Sequence, residues 1–105
     1  MNTSTAPRVN QKLLRNFIGK TVALVGNVEH HNPTAVVLRS SDGMTVNVQP
    51  KPGSDYGSKY VEVIGRVLEN GTIEEFKVTL FGEKFDMETY NQMVELAHTE
   101  FRHLF

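Results

Sequence analysis

The sequence contains no cysteine, and this absence excludes several kinds of chemistry. Disulfide frameworks, thiolate zinc sites and cysteine nucleophiles all need that residue, so the 105-residue chain has to fold on its apolar core. Long hydrophobic runs are lacking as well. No stretch approaches the roughly 20 apolar residues of a membrane helix, and the first residues lack the apolar segment of a signal peptide. We expect an intracellular protein with no membrane segment.

A large excess of positive charge is also missing. The formal net charge is -1 at pH 7, which argues against a strong stand-alone nucleic-acid binder, because Lys and Arg usually supply most of that affinity by neutralising phosphates. The charge is unevenly distributed: residues 1 to 68 hold 8 basic and 4 acidic side chains, whereas residues 69 to 105 hold 3 basic and 8 acidic. The C-terminal part is therefore poorly suited to facing phosphate groups.

The histidines do not have the spacing of a metal site. His30 and His31 are adjacent and precede a turn, while His98 and His103 are five residues apart on a predicted helix. Neither pair has the i, i+4 spacing that places two ligands on one helix face. We predict no metal and no cofactor.

Motifs for catalysis are equally scarce. Glu74 and Glu75 are adjacent on a predicted strand, so their side chains point to opposite faces, and we interpret both as solvated edge residues. The segment FGEKF at residues 81 to 85 has no Gly-rich loop and no Ser or Thr after its lysine, as a phosphate-binding loop would require. The sequence therefore predicts that the protein is not an enzyme.

The middle of the chain has the composition of short strands separated by turns. Branched and alternating apolar residues predict strands that begin near residues 20, 35, 44 and 60, and a fifth strand with Phe76, Val78 and Leu80 on its core face. Gly65 suits a bulge on the fourth strand. Asn70 and Gly71 predict a type I′ hairpin turn between the last two strands. Five strands with short connections indicate an all-β barrel.

Two helices are predicted to flank this barrel. Residues 1 to 9 are polar and small and read as a flexible tail, after which Asn10 can cap a short helix that ends at Gly19. Asp86 is a good N-cap for a long C-terminal helix that extends to about residue 104. The predicted organisation is a tail (1 to 9), a barrel with a short N-terminal helix (10 to 85) and a C-terminal oligomerisation helix (86 to 105).

The C-terminal helix carries an apolar stripe with alternating spacings of three and four residues. Its members are Met87, Tyr90, Val94, Ala97, Phe101 and Leu104. This spacing is typical of helices that pack lengthwise on other helices, although the same stripe could cover the chain's own barrel. A stripe of about 25 Å is longer than the end of a small barrel needs, and it would leave an apolar patch exposed in a monomer. A helical partner is the favoured interpretation.

Three segments resemble the small subunit of the eukaryotic replication protein A heterotrimer. They are LLRNFIGKTVALVGNVEHHNPT (13 to 34), YVEVIGRVLENGTI (60 to 73) and FDMETYNQMVELAH (85 to 98). The resemblance implies a five-stranded OB-fold and a C-terminal helix that joins a three-helix bundle with the large and middle subunits. It also implies a nuclear role in DNA replication, repair and recombination, with single-stranded DNA bound mainly through those subunits.

The same resemblance assigns one set of residues to the partner interface. On the family pattern, the helix contacts its partners through Met87, Tyr90, Met93, Val94, Ala97, Phe101 and Leu104. Burying these seven side chains would contribute roughly 10 to 20 kcal/mol before association costs are subtracted.

Two other functions stay open at this point. The first is an independent OB-fold binder of single-stranded nucleic acid, which would stack bases on aromatic side chains flanked by cations. Its candidate residues are Arg39, Lys59, Tyr60, Arg66, Lys77 and Phe81, and we expect only weak binding from them. The second is the small subunit of a telomere-capping trimer, which would share the fold and the scaffold role.

Overall fold

The structure, a computed structural model, describes residues 6 to 98. Its elements in chain order are β1 (Arg8–Val9), a 3-10 helix (Gln11–Phe17), β2 (Thr21–Asn32), β3 (Ala35–Ser40), β4 (Thr45–Gln49), β5 (Tyr60–Val67), β6 (Ile73–Gly82) and α1 (Met87–Ala97). Within residues 6 to 98, no helix has both the length and the apolar character needed to cross a membrane.

The strands form one sheet that closes on itself. Their order is β1-β2-β3-β4-β6-β5, and β2 also pairs with β5. The long strand β2 makes this closure possible, because residues 21 to 27 pair with β5 while residues 26 to 32 pair with β3. Gly26 belongs to both pairings, and a Cβ there would lie only 2.9 Å from the Cβ of Leu38. Glycine thus allows the two strands to approach closely at the overlap.

The barrel interior is filled by branched residues that alternate along each strand. Fully buried members of this core include Val22, Leu24, Leu38, Val63 and Ile73. Each contributes about 1.5 to 3 kcal/mol when it leaves water. Alternation along β4 behaves as predicted, with its two valines buried and its polar residues exposed.

The start of the described chain differs from the expected tail. Arg8 and Val9 form a sixth strand that pairs in parallel with Ala23 and Leu24 of β2, and Val9 is fully buried. The helix that follows has 3-10 geometry and stops before Gly19, whose φ of +82° supplies the predicted left-handed end. The Asn10 side chain makes no capping hydrogen bond.

The expectation for the core face of β6 is wrong at Phe76 and at Leu80. Ile64 pairs with Lys77 and Gly65 with Glu75, so Phe76 is the extra residue of a bulge and its side chain is 39% exposed. The sequence predicts the bulge on the fourth strand, at Gly65, but the extra residue belongs to β6. Gly65 lies opposite it, where a Cβ would overlap the carbonyl oxygen of Glu74. Before the bulge Ile73 and Glu75 face inward, and after it Val78 packs against the core. Leu80 pairs with Val61 but remains exposed.

The hairpin between β5 and β6 forms with a different turn from the one expected. A type I′ turn needs positive φ at both central residues, and among residues 6 to 98 only glycines have positive φ. Gly71 has a φ of +85°, and the amide of Leu68 donates to Thr72 O at 2.8 Å. The result is a three-residue loop, 69 to 71, so the pairing is confirmed and the turn type is wrong.

The loop between β4 and β5 is organised around a buried carboxylate. Glu75 is only 3% exposed, so its interpretation as a solvated edge residue is wrong. Its oxygens accept hydrogen bonds from the Lys51 amide at 3.0 Å, the Ser54 hydroxyl at 2.7 Å and the Tyr56 hydroxyl at 3.0 Å. Burial, and then the neighbouring carboxylate, raise the pKa of Tyr56. The loop needs no helix of its own because this carboxylate holds it.

Candidate partner-binding helix and nucleic-acid residues

The helix α1 begins where the sequence predicts. Asp86 is its N-cap: one carboxylate oxygen accepts from the Thr89 amide at 3.0 Å, and the other accepts from the Thr89 hydroxyl at 2.8 Å. These hydrogen bonds hold the pKa of Asp86 below its usual value. The described helix ends at Ala97. Its predicted continuation, with interface residues Phe101 and Leu104, lies outside the described residues.

A cluster of aromatic rings joins α1 to the barrel. The ring of Phe85 lies 5.3 Å from that of Phe81, 6.1 Å from Tyr60 and 5.5 Å from Tyr90, measured between centroids. Burial raises the pKa of Tyr90 to about 12, and the nearby Glu62 carboxylate acts in the same direction while Arg8 opposes it. Through Phe85, this cluster connects the first turn of α1 with Tyr60 on β5 and Phe81 on β6.

Polar side chains attach the middle of α1 to the N-terminal segment. The Asn10 amide nitrogen donates to Asn91 Oδ1 at 2.9 Å, and the Ser41 hydroxyl donates to the same oxygen at 2.9 Å. The ammonium of Lys12 lies 2.8 Å from Glu95 Oε2, and this pairing lowers the pKa of Glu95. We call Asn10, Lys12, Ser41, Asn91 and Glu95 the amide network.

The end of α1 is held against β1 by His98. Its Nε2 lies 2.8 Å from the carbonyl oxygen of Arg8. Because a carbonyl only accepts, this ring nitrogen carries the hydrogen. The imidazole also meets the ring of Phe17 edge-on, with centroids 5.6 Å apart. The last turn of α1 is therefore fixed on the first described residues.

The predicted apolar stripe is divided between two environments. Val94 is 3% exposed and buried within this chain, so it is not available as a surface contact in the position that the structure gives it. Met87, Tyr90 and Ala97 are half-buried. Met93 is 62% exposed. The interface residues assigned from the sequence thus do not share one outward face.

Beside the exposed Met93 lie a groove and a second exposed apolar residue. The groove has a volume of about 470 Å³ and runs between the N-terminal segment and α1, with Pro7, Phe17, Met93 and Ala97 among its lining residues. Leu96, which lies outside the predicted stripe, is 48% exposed. Its place three residues after Met93 is the signal that could have assigned it to the same face. We call Met93, Leu96 and Ala97 the outer face of α1.

Two of the cations predicted for nucleic-acid binding, Arg39 and Lys59, have contacts within the chain. Arg39 donates from Nε to Glu29 at 2.7 Å, from a second nitrogen to the same carboxylate at 3.2 Å, and from a third to Gly43 O at 2.6 Å. Lys59 places its ammonium 5.6 Å from the Tyr60 ring centroid. Arg39 is therefore already neutralised by its own neighbour.

The remaining candidates lie on β5 and β6. Arg66 stacks 5.9 Å from the centroid of Phe76, and Lys77 is exposed on β6. Tyr60 and Phe81 belong to the aromatic cluster around Phe85. Five of the six candidates thus lie on or beside this strand pair, whereas Arg39 lies on β3, which pairs with neither strand.

Comparison with known proteins gives a full-length family match. The model of the family described as Replication factor A protein 3 matches residues 1–104. The chain belongs to this family. Similar relatives are replication protein A 14 kDa subunits B and A of Arabidopsis thaliana, 39% and 37% identical over 106 residues, with 100% of this chain and 99% of each relative covered.

Two solved structures have a fold similar to that of this chain. The structure of U. maydis replication protein A bound to ssDNA gives a TM-score of 0.88 at 27% identity, covering 95% of this chain and 94% of that chain. The telomere capping protein Ten1 from Schizosaccharomyces pombe gives 0.73 at 15% identity, covering 91% and 100%, which shows a shared fold alone. The chain is mainly β and OB-fold-like, with six strands and two helices among its described residues.

Proposed function

We propose that the chain is the structural small subunit of a heterotrimeric single-stranded DNA-binding complex of the replication protein A type, with a nuclear role in replication, repair and recombination. Its partners are the large and middle subunits. The family match and the relatives' identity as 14 kDa subunits support this assignment. In finer detail, β2 to β6 are the five strands of the OB barrel, and β1 is added beside β2.

The observation that carries the proposal is the outer face of α1. Met93 and Leu96 are 62% and 48% exposed on a helix that is fixed to its own barrel. Ala97 beside them is small enough to let another helix approach closely. Helices from two partner subunits would bury this face in a three-helix bundle, and the predicted contacts at Phe101 and Leu104 would lengthen it.

Direct contact with DNA is a minor part of the proposal. Arg39 is paired with Glu29, and the rings of Tyr60 and Phe81 pack against Phe85 rather than standing alone as stacking surfaces. With a net charge of -1, the chain has little surplus charge to neutralise phosphates. Single-stranded DNA is bound mainly through the other two subunits.

The test is co-expression with the large and middle subunits, comparing Met93→Asp with the matched control Gln92→Asp. Gln92 is exposed and polar, so its change should leave assembly as in the wild type. Met93→Asp buries an unpaired charge in the interface, and we expect at least about tenfold less trimer on size-exclusion chromatography. Tyr90 and Val94 are unsuitable positions, since both are needed inside the free chain.

Recovery of normal amounts of trimer with Met93→Asp would show that the outer face is not the docking surface. A telomere-capping trimer is the second candidate, because Ten1 from S. pombe has the same fold. Selective assembly with the partner subunits of such a complex, and not with those of replication protein A, would favour it.

A further inference from the structure

The rotation of α1 about its own axis is not the one that would bury the most apolar surface against the barrel. At 100° per residue, the apolar residues of α1 span an arc of about 180°. In order around the helix they are Leu96, Met93, Ala97, Tyr90, Val94 and Met87. Hydrophobic burial alone would point the middle of this arc at the barrel. Instead Val94, near one edge of the arc, is the buried member, Tyr90 and Met87 beside it are half-buried, and the other edge is left exposed. Another interaction therefore sets the rotation.

The amide network lies just beyond the buried edge of this arc. Asn10 is 0% exposed, and its amide nitrogen donates to Asn91 Oδ1 at 2.9 Å and to Glu95 Oε2 at 3.4 Å. Asn91 Oδ1 also accepts from Ser41. The network thus draws the polar flank of α1, rather than the centre of its apolar arc, toward the N-terminal segment.

The direction of every hydrogen bond in the network is fixed by Glu95. Its carboxylate can only accept, and it accepts from the amides of Asn10 and Asn91 and pairs with Lys12. If the Asn10 amide were flipped, its Oδ1 would face Asn91 Oδ1 and Glu95 Oε2, and neither of these oxygens can donate a hydrogen bond. Rotating α1 by one residue would remove Asn91 from its place and leave the buried Asn10 donor without its main acceptor, which is costly.

We propose that Asn10 and Asn91 are positioning residues that set the rotation of α1 and so hold Met93 and Leu96 outward for partner subunits. The role of the outward face in assembly rests on the proposed function, whereas the rotation itself is a property of the free chain. Asn10 is buried and Asn91 half-buried, and a polar pair of this kind can fix one arrangement among several apolar alternatives, as polar residues do in coiled coils.

The first test measures the rotation in the isolated full chain. The natural sequence has no cysteine, so Met93→Cys introduces a single reporter whose rate of maleimide labelling follows its exposure. Asn10→Leu removes the buried donor while leaving the sequence of α1 unchanged. We expect α1 to rotate its apolar arc toward the barrel, lowering the labelling rate roughly tenfold. Asn16→Leu, at an exposed position of the same 3-10 helix, should leave the rate unchanged.

The second test is rescue. In the double variant Asn10→Leu/Asn91→Leu, two apolar side chains replace the two hydrogen-bonded amides. In the original rotation of α1 these leucines would contact each other, and no polar group of the pair would be left without a partner. Labelling should return to within about twofold of the reporter chain without these changes. If Asn10 acted only by filling space, the single change to a side chain with the same branched skeleton of four heavy atoms would not lower the labelling rate. An unchanged or faster rate in Asn10→Leu overturns the proposal.

Assembly assays with native Met93 link the rotation to the partners. We expect Asn10→Leu to reduce trimer recovery and the double variant to restore it. Normal labelling and normal assembly of Asn10→Leu, alongside failed assembly of Met93→Asp, would overturn the positioning role and leave the docking face intact. Normal assembly of Met93→Asp would instead overturn the docking face, while the labelling rates would still decide the rotation.

If Asn10→Leu loses cooperative melting, Asn91→Ala tests the same contact from the helix side, with the same expected fall in labelling.

Discussion

The barrel interior and the helix outside it are held by different kinds of contact. Inside, side chains such as Leu24 and Val63 are fully buried among other branched residues of the same chain. On α1 only Val94 reaches that degree of burial, and the amide network and His98 supply the remaining attachments. The barrel therefore buries its interior apolar side chains within the chain, although Phe76 and Leu80 of β6 stay exposed, whereas on α1 most of the apolar residues are only partly covered.

This contrast predicts that substitutions in the barrel mainly lower the free energy of unfolding. The largest effect is expected for Gly65→Ala, because the new Cβ would overlap the Glu74 carbonyl oxygen and backbone cannot move aside cheaply. We expect a loss of about 4 kcal/mol in the free energy of unfolding, measured by urea denaturation. Gly43→Ala is the matched control: it has open space but a φ of +86°, and it should cost only about 1 kcal/mol. Equal losses in the two variants would contradict the close approach at the bulge.

The buried carboxylate of the barrel gives the next largest effect. Glu75→Ala leaves the Lys51 amide and the hydroxyls of Ser54 and Tyr56 without their acceptor, and we expect a loss of about 3 kcal/mol by chemical denaturation. Glu74→Ala, one residue away and facing the other side, should change stability by no more than about 0.5 kcal/mol. Similar values for the two glutamates would mean that the loop does not depend on Glu75.

The smallest effect is expected at the exposed cap of the helix, and it should depend on pH. The folded-state pKa of Asp86 is lowered by its bonds to Thr89, so the charged cap stabilises the fold above the unfolded pKa of about 4 and loses this contribution as pH falls through the lower folded value. Asp86→Ala should therefore melt below the wild type at neutral pH, with a gap that narrows in acid. Thermal melts at several pH values measure it, and a gap that widens in acid would refute the assignment.

Most of the barrel could be predicted because its signals are local. Alternation of Val46 and Val48 with polar neighbours and the stop at Gly19 each depend on a few adjacent residues. Gly65 indicates where the bulge lies, but not that its extra residue belongs to the opposite strand. The turn at Gly71 was assigned to the right place with the wrong geometry, since its dipeptide fits more than one loop length.

The features that escaped prediction depend on residues far apart in the chain. Strand β1 has only two residues, too few for a periodic pattern, and it exists because β2 offers it a parallel partner. Glu75 lies two residues after Ile73 and so shares its strand face, which is only a weak indication that a charged residue is buried. The hydrogen-bond donors that make its burial possible belong to the loop between β4 and β5, at least 19 residues earlier in the chain. The stripe on α1 was visible in the sequence, but its rotation was not, because Asn10 lies 81 residues before Asn91.

That separation also bears on the order in which the molecule forms. The bond between Asn10 and Asn91 closes 81 residues, and the contact between Arg8 and His98 closes 90. Such distant contacts come at a high entropic cost unless the barrel has already brought the two segments together. We therefore expect α1 to attach after the barrel has formed, so that weakening this attachment would speed unfolding while hardly slowing folding. The outer face of α1 would then take its final position only after the barrel behind it is closed.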